Sequence, residues 1–316
     1  MRTWGGVLAD DATGALECGS LLAAMGVRTL VWLGGVLQQL PPCEVLVVDT
    51  ETRHGMAGTA AATVAGWQKY FMENGIERIF KKTDSTLRGH IGAELAVLGK
   101  VVYAPAYPAL GRVVQGGRLY VDGVPVEETA FGRDSRQPVR SGVIRDLFPA
   151  EAAVEIVEGE PDFRDVPIAA GPAGWIRTWA GGGGAVSALP AVRRWLVVCG
   201  SLHPRSRRQA ERARALGMVV VMSPAETFGE DPEAVAERLA ALAVDEMAGV
   251  EVVMMFGGDT ARALWRAMGV ELLEPLPEVL PGVAACRAPG KATVFVTKAG
   301  GFGEDDLVDQ VRERMQ

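Results

Sequence analysis

Only four cysteines occur in 316 residues, Cys18, Cys43, Cys199 and Cys286, and no two of them form a CxxC pair. That spacing excludes a disulfide framework and leaves reduced thiols filling apolar core. Basic residues are not in excess: 32 Lys and Arg stand against 39 Asp and Glu, for a formal charge of -7. A general nucleic-acid or anionic-membrane binder is excluded by that balance, so any anionic ligand must be held by a local cluster. No uninterrupted apolar run approaches membrane-spanning length. The opening MRTWGGVLADD has neither the apolar core nor the cleavage site of a secretion signal, and a cytoplasmic protein is expected.

Nearly half the residues are apolar, enough for a large core, and the length exceeds what a single core usually serves, so two domains are expected. Short apolar runs (WGGVLAD, TLVWL, EVLVVDT, RIFKKTD, VVYAPAY and, later, RWLVVCG, VVVMS, VEVVMMFGG and ATVFVTKAG) alternate with amphipathic segments closed by glycine. This rhythm predicts α/β architecture, with two domains each built on a mainly parallel sheet flanked by helices. It breaks in the middle, where GRLYVDGVPVEE reads as a hairpin turning at Asp122-Gly123, followed by a stretch rich in Gly and Pro. A boundary near residue 190 divides the chain into 1–190 and 191–316. The run Gly181 to Gly184 has neither P-loop nor GxGxxG spacing and reads as a flexible connection.

Parallel sheets bind ligands beyond the carboxyl ends of their strands, so polar residues at those loops carry the functional argument. The first strand ends in ADDATG: one aspartate suffices to cap the next helix, whereas the pair Asp10-Asp11 suits polyol hydroxyls or a cation. The third ends in DTETRHG, where Arg53 is either half of a surface pair or a two-pronged clamp for a carboxylate. The fourth, RIFKKTD, turns through STLRG, and strand alternation sends its two lysines to opposite faces. Lys82 is expected at the ligand edge and Lys81 in solvent. A cap by Ser85 or Thr86 does not account for Lys82, Asp84 and Arg88 gathered in one turn. In the second half, Gly257-Gly258-Asp259-Thr260 and Lys298-Ala299-Gly300-Gly301-Phe302-Gly303 are glycine-bearing strand-to-helix turns of the kind that phosphates need. A third turn carries Gly200, Ser201 and His203, the histidine reading as a cap.

With these turns in order, the sequence resembles the four-carbon acid sugar kinase family, which phosphorylates tetronic acids with ATP. The matching blocks are LADDATGA, TETR, KKTDSTLRGHIGAEL, APAYPALGRVVQGGRLYVDGVPVEET, VVCGSLHPRSRRQ, FGGDTARALWRAMGV and TKAGGFGEDDLV, spread over nearly the whole chain. The resemblance implies an N-terminal acid-sugar domain, a C-terminal nucleotide domain and an active site in the cleft between them. It places Asp10, Asp11, Arg53, Lys82, Asp84, Ser85 and Arg88 on the sugar acid. Ser201, Gly257, Gly258, Asp259, Thr260, Gly300 and Gly303 would cradle ATP. The chain is shorter than typical members and departs from their GSxS and KSGNFG turns with GSLH and KAGGFG, losing side-chain donors while keeping backbone N–H groups.

Phosphoryl transfer needs in-line placement and cationic or N–H stabilisation. Arg53, Lys82 or Arg88 would fix the substrate carboxylate and Asp10-Asp11 its hydroxyls. Asp84 and Asp259 are both candidates for the base, Lys82 belongs to the same catalytic set, and Mg2+ would ride on ATP with water and phosphate ligands. A dehydrogenase would need a GxGxxG turn and an acidic ribose partner, and neither is present. An aspartate-nucleophile phosphatase would need two aspartates separated by one residue, whereas Asp10 and Asp11 are adjacent. A sugar-acid or nucleotide sensor without turnover is the non-enzyme alternative. The GRLYVDGVPVEE hairpin also offers an edge through which a second copy can pair into a homo-oligomer.

Overall fold

The computed structural model describes residues 2–134, 137–182, 188–224 and 230–316. The first half supplies β1 (Gly5–Ala9), β2 (Thr29–Trp32), β3 (Val45–Asp49), β4 (Arg78–Lys82) and β5 (Val101–Tyr103). A small antiparallel sheet follows, made of β6 (Arg112–Gln115), β7 (Arg118–Val121) and β8 (Val124–Pro125), before β9 (Val154–Ile156) and β10 (Ile168–Gly171). The second half supplies β11 (Trp195–Cys199), β12 (Val219–Met222), β13 (Val252–Phe256), β14 (Leu272–Leu280), β15 (Val283–Arg287) and β16 (Val294–Lys298). The helices are α1 (Ala12–Ala24), α2 (Ala57–Glu73), α3 (Ile91–Ala96), α4 (Ile176–Ala180), α5 (Pro204–Ala215), α6 (Pro232–Asp245), α7 (Gly258–Ala267) and α8 (Leu307–Arg314).

Among the described residues the main sheet has 13 strands in the order β12-β11-β13-β16-β15-β14-β2-β3-β1-β4-β10-β5-β9. Each half contributes a parallel block, β12-β11-β13-β16 and β2-β3-β1-β4-β10-β5-β9, as the alternating pattern predicts, and strands such as β1, β3 and β13 are buried at every position. The two parallel blocks are stitched by antiparallel pairing that the sequence did not announce. β15 pairs with β16 and β14, and β14 reaches β2 through Leu272 opposite Trp32 and Leu273 opposite Val31. α1 lies over this seam, its Gly19 leaving room for Pro275 and its Ser20 hydroxyl donating to Ala285 O at 3.3 Å.

The hairpin turns where expected, with Asp122 and Gly123 both at positive φ (51° and 81°), the conformation of a type I′ turn. Gly181 and Gly182, also at positive φ, follow α4, while 183–187, which include Gly183 and Gly184, lie outside the described residues. The boundary near residue 190 falls between α4 and β11. All four cysteines are buried and unpaired. Among the described residues no helix is long and apolar enough to cross a membrane.

Register positions the site. Ala9 at the end of β1 stands beside Asp49 of β3 and Lys82 of β4, so the loops after these three strands open on one edge. Cys199, Phe256 and Lys298 are likewise aligned at the ends of β11, β13 and β16, which brings the three glycine turns together.

Lys81 is a correction. It was expected in solvent but is fully buried, with Nζ 2.9 Å from Glu94 Oε2 and donating to Lys82 O at 3.1 Å. Alternation does send it to the face opposite Lys82, but β4 is an interior strand between β1 and β10, and Glu94 of α3 meets the lysine there. Thr52 donates its hydroxyl to the other oxygen of Glu94. Glu94→Ala, which strands a buried ammonium, should lower unfolding free energy by about 3–5 kcal/mol in urea titrations. The double variant Lys81→Met/Glu94→Leu should recover most of that loss, and equal losses in both proteins would contradict a buried-charge origin.

Candidate active site

Asp10 and Asp11 leave β1 side by side and divide their work. Asp11 caps α1, its Oδ1 accepting from Gly14 N at 2.9 Å, while Asp10 is buried. Arg53 joins both: Nε donates to Asp10 Oδ2 at 2.7 Å, Nη2 to Asp10 Oδ1 at 2.8 Å, and Nη1 to Asp11 Oδ2. This two-pronged bond is the geometry anticipated for Arg53, but the carboxylate it grips belongs to the protein. Lys82 Nζ lies 3.6 Å from Asp11 and 3.9 Å from Asp10, and glycine at position 14 leaves that ammonium room, since a Cβ there would oblige the lysine to shift.

The turn after β4 closes on Asp84. Its Oδ1 accepts from Thr86 N at 2.9 Å and Arg88 Nε at 3.2 Å, and its Oδ2 accepts from Arg88 Nη2 at 2.8 Å. Arg53 Nη2 stands 3.7 Å away, linking this turn to the first. Ser85 lines the cavity, and Arg88 also reaches Asp134 at 3.4 Å and lies over the Phe131 ring. Burial by itself would raise the pKa of both Asp10 and Asp84. The charges of Arg53, Lys82 and Lys81 on Asp10, and of Arg88, Arg53 and Lys82 on Asp84, outweigh it and hold both carboxyls below their ordinary range. Burial would similarly lower Lys82, yet Asp11 and Asp10 keep its ammonium raised and charged.

Opposite these charges stand the glycine turns. Gly257 adopts φ 106°, open to glycine alone, and a Cβ on Gly258 would stand 3.0 Å from Thr13 Oγ1. Lys298 is buried under Phe256, its Nζ 3.2 Å from Ser206 Oγ and 3.1 Å from Ala299 O; Ser206 Oγ in turn accepts from Gly301 N at 3.0 Å. A Cβ on Gly301 would meet the His203 ring at 2.9 Å, and His203 caps α5 as expected. These turns are backbone surfaces kept free of side chains, which suits phosphate oxygens.

One cavity of about 1290 Å³ collects these groups. All seven residues expected on the sugar side line it, Asp10, Asp11, Arg53, Lys82, Asp84, Ser85 and Arg88, together with Gly258, Asp259 and Gly300 from the nucleotide set. The other four stand behind that surface. Gly257 sets the turn, Thr260 is buried against Gly200, Ser201 Oγ accepts from His203 N beside Gly300, and Gly303 gives way to Leu307. Sequence reasoning missed Glu17, Tyr107, Arg112, Phe131 and Arg262, which also line the cavity. Arg262 of α7 pairs with Asp49 and Glu51 at the tip of β3, tying the second half to the first. A charge halfway along an apolar helix and an arginine after a turn carry no local signal of this convergence.

Two family models match the chain, a sugar-binding N-terminal domain over residues 5–172 and a nucleotide-binding C-terminal domain over residues 226–308. A D-threonate kinase of Bordetella bronchiseptica is 29% identical over 98% of each chain. The chain belongs to the four-carbon acid sugar kinase family. Within this kinase family, a D-erythronate kinase of Heliobacterium modesticaldum is 35% identical over 46% of this chain and 36% of its own. The fold is shared with a crystal structure from Haemophilus influenzae, at 19% identity and TM-score 0.74, covering 98% of this chain and 100% of that one. A citrate-bound, domain-swapped dimer from B. bronchiseptica is 29% identical over 100% of this chain and 98% of its own, at TM-score 0.52. The named relatives of this chain are kinases, that is, phosphotransferases.

The depressed carboxyls set a pH dependence. Their folded pKa values lie below the unfolded value near about 4, so the stability they contribute is complete above about pH 4 and is lost as pH falls through the folded values. Asp84→Asn should therefore flatten the fall in urea midpoint between about pH 4 and pH 2 relative to the parent protein. An unchanged acid slope would show that Asp84 is not held in this way.

Proposed function

We propose that this chain is a cytoplasmic, ATP-dependent kinase that phosphorylates the terminal hydroxyl of a four-carbon sugar acid of the threonate, erythronate or 3-oxo-tetronate class. The single observation that carries the reading is the meeting, in one cavity, of the charged strand tips Asp10, Asp11, Lys82 and Asp84 with the Gly258 and Gly300 turns. Residues 1–190 bind the acid and 191–316 the nucleotide, in a protein that assembles as a homo-oligomer.

The carboxylates of Asp10 and Asp11 accept hydroxyls of the substrate, and Lys82, kept charged beside them, faces the oxygen that becomes phosphorylated. Backbone N–H groups of the Gly258 and Gly300 turns stabilise the phosphoryl oxygens as charge spreads over them. ATP would supply the phosphoryl group and Mg2+ would enter with it to offset the phosphate charge, with no protein ligand assigned to the metal. Asp84 is a poor proton acceptor, because its oxygens already accept from Thr86 and Arg88 and its carboxyl is held well below the usual range. That leaves Asp259, in the first turn of α7 and on the cavity wall, as the residue that takes or orients the hydroxyl proton.

Coupled ADP release should appear with at least one of threonate, erythronate or a 3-oxo-tetronate and should require ATP. Asp259→Asn should lower kcat by about 10²- to 10⁴-fold with the acid's KM changed only a few-fold. Binding of ATP without turnover on any of these acids would turn the reading toward a sensor, and wild-type kcat in Asp259→Asn would remove Asp259 from the chemistry.

A further inference from the structure

Six lysine and arginine side chains line the cavity: Arg53, Lys82, Arg88, Arg112, Arg262 and Arg266. Five have a carboxylate within 4 Å. Arg53 and Lys82 share Asp10 and Asp11, Arg88 holds Asp84 and Asp134, and Arg262 and Arg266 hold Asp49, Glu51 and Glu233. Arg112 is the exception among the described residues. Its Nη1 donates to Leu110 O, and its Nε is buried with no hydrogen-bond partner.

We propose that Arg112 is the residue that receives the substrate's carboxylate and makes the site select acids over neutral polyols. This rests on the sugar-acid reading above and deepens it. An acid entering beside Asp10, Asp11 and Asp84 meets three carboxylates whose charge is already matched by Arg53, Lys82 and Arg88. Those cations cannot turn to a fourth anion without stranding a buried aspartate. Arg112 can, because four of its five N–H donors are uncommitted, including the Nε–Nη2 edge that Arg53 uses on Asp10.

Its position is fixed and belongs to the sugar side. Tyr107 N donates to Arg112 O at 2.8 Å and Arg112 N to Tyr107 O at 3.1 Å, pinning the backbone where β6 begins. The guanidinium lies 6.0 Å from the centre of the Phe131 ring, the same ring that Arg88 approaches at 5.3 Å. Phe131 is thus a shared neighbour of Arg112 and of Arg88, which belongs to the Asp84 turn. A purely structural Arg112, needed only to hold Leu110, would affect every ligand alike.

The test is calorimetric binding, without nucleotide, of threonate and erythronate and of the corresponding four-carbon polyols, threitol and erythritol. The parent protein should prefer the acid, Arg112→Met should weaken the acid by about 10- to 100-fold, and the polyol should be unaffected, so that the preference disappears. Arg112→Lys, which keeps charge and stem but not the fork, should fall between them; if Arg112→Met does not fold, this variant decides. An unchanged acid preference in Arg112→Met, equal weakening of acid and polyol, or parent-like acid affinity in Arg112→Lys would each overturn the assignment. No binding of threonate, erythronate or a 3-oxo-tetronate to the parent protein would instead overturn the sugar-acid reading itself, and the assignment with it.

Discussion

Arg53 is the hinge of the electrostatics: one buried guanidinium serves as counter-ion to Asp10 and Asp11 and stands 3.7 Å from Asp84. Three carboxylates at neighbouring strand tips repel one another, and burial penalises each charge further. The fold tolerates them because Arg53 from the loop after β3, Lys82 at the end of β4 and Arg88 from the turn that follows β4 are threaded among them. Such a network adds little net stability, since desolvation offsets much of the attraction, but it is rigid. Rigid, oriented charge in a partly dry cavity is what transition-state stabilisation requires.

The network needs an opposite wall, and the continuous sheet provides it. β14 leaves the second half and pairs with β2 of the first, while α1, which begins at the Asp11 cap, crosses the seam onto β14 and β15. The helix that starts at the acids is therefore the one that packs against the second half. Arg262, between Asp49 and Glu51, adds a polar tie from α7, the helix whose first turn carries Gly258 and Asp259. Distances between acids and glycine turns follow from this packing and not from either loop alone.

Much of this was legible in the residues. Parallel strands announced themselves as apolar runs, and every charge of ADDATG, TETR and KKTDSTLR nominated for the sugar side lines the cavity, because strand-end loops of a parallel sheet can open only one way. What stayed hidden was tertiary. β14 reads LLEPLPEVL, and its two prolines argue against a strand in an interior place, though Pro275 sits opposite Cys286 in the ladder. Lys81 gave the right face and the wrong environment, since alternation does not tell which face a helix will cover. Arg112 is one arginine among many in the sequence; only the pairing of the other cations that line the cavity makes it distinct.

On the proposed function, sugar-side charges and glycine turns form one phosphoryl-transfer site. A crystal structure of the protein with a four-carbon sugar acid and a non-hydrolysable ATP analogue tests it most directly. The acid's hydroxyls are expected on Asp10 and Asp11, the terminal phosphate against the Gly258 and Gly300 turns, and the acid's terminal hydroxyl in line between them. A nucleotide bound away from those turns, or an acid bound outside the cavity, would contradict it.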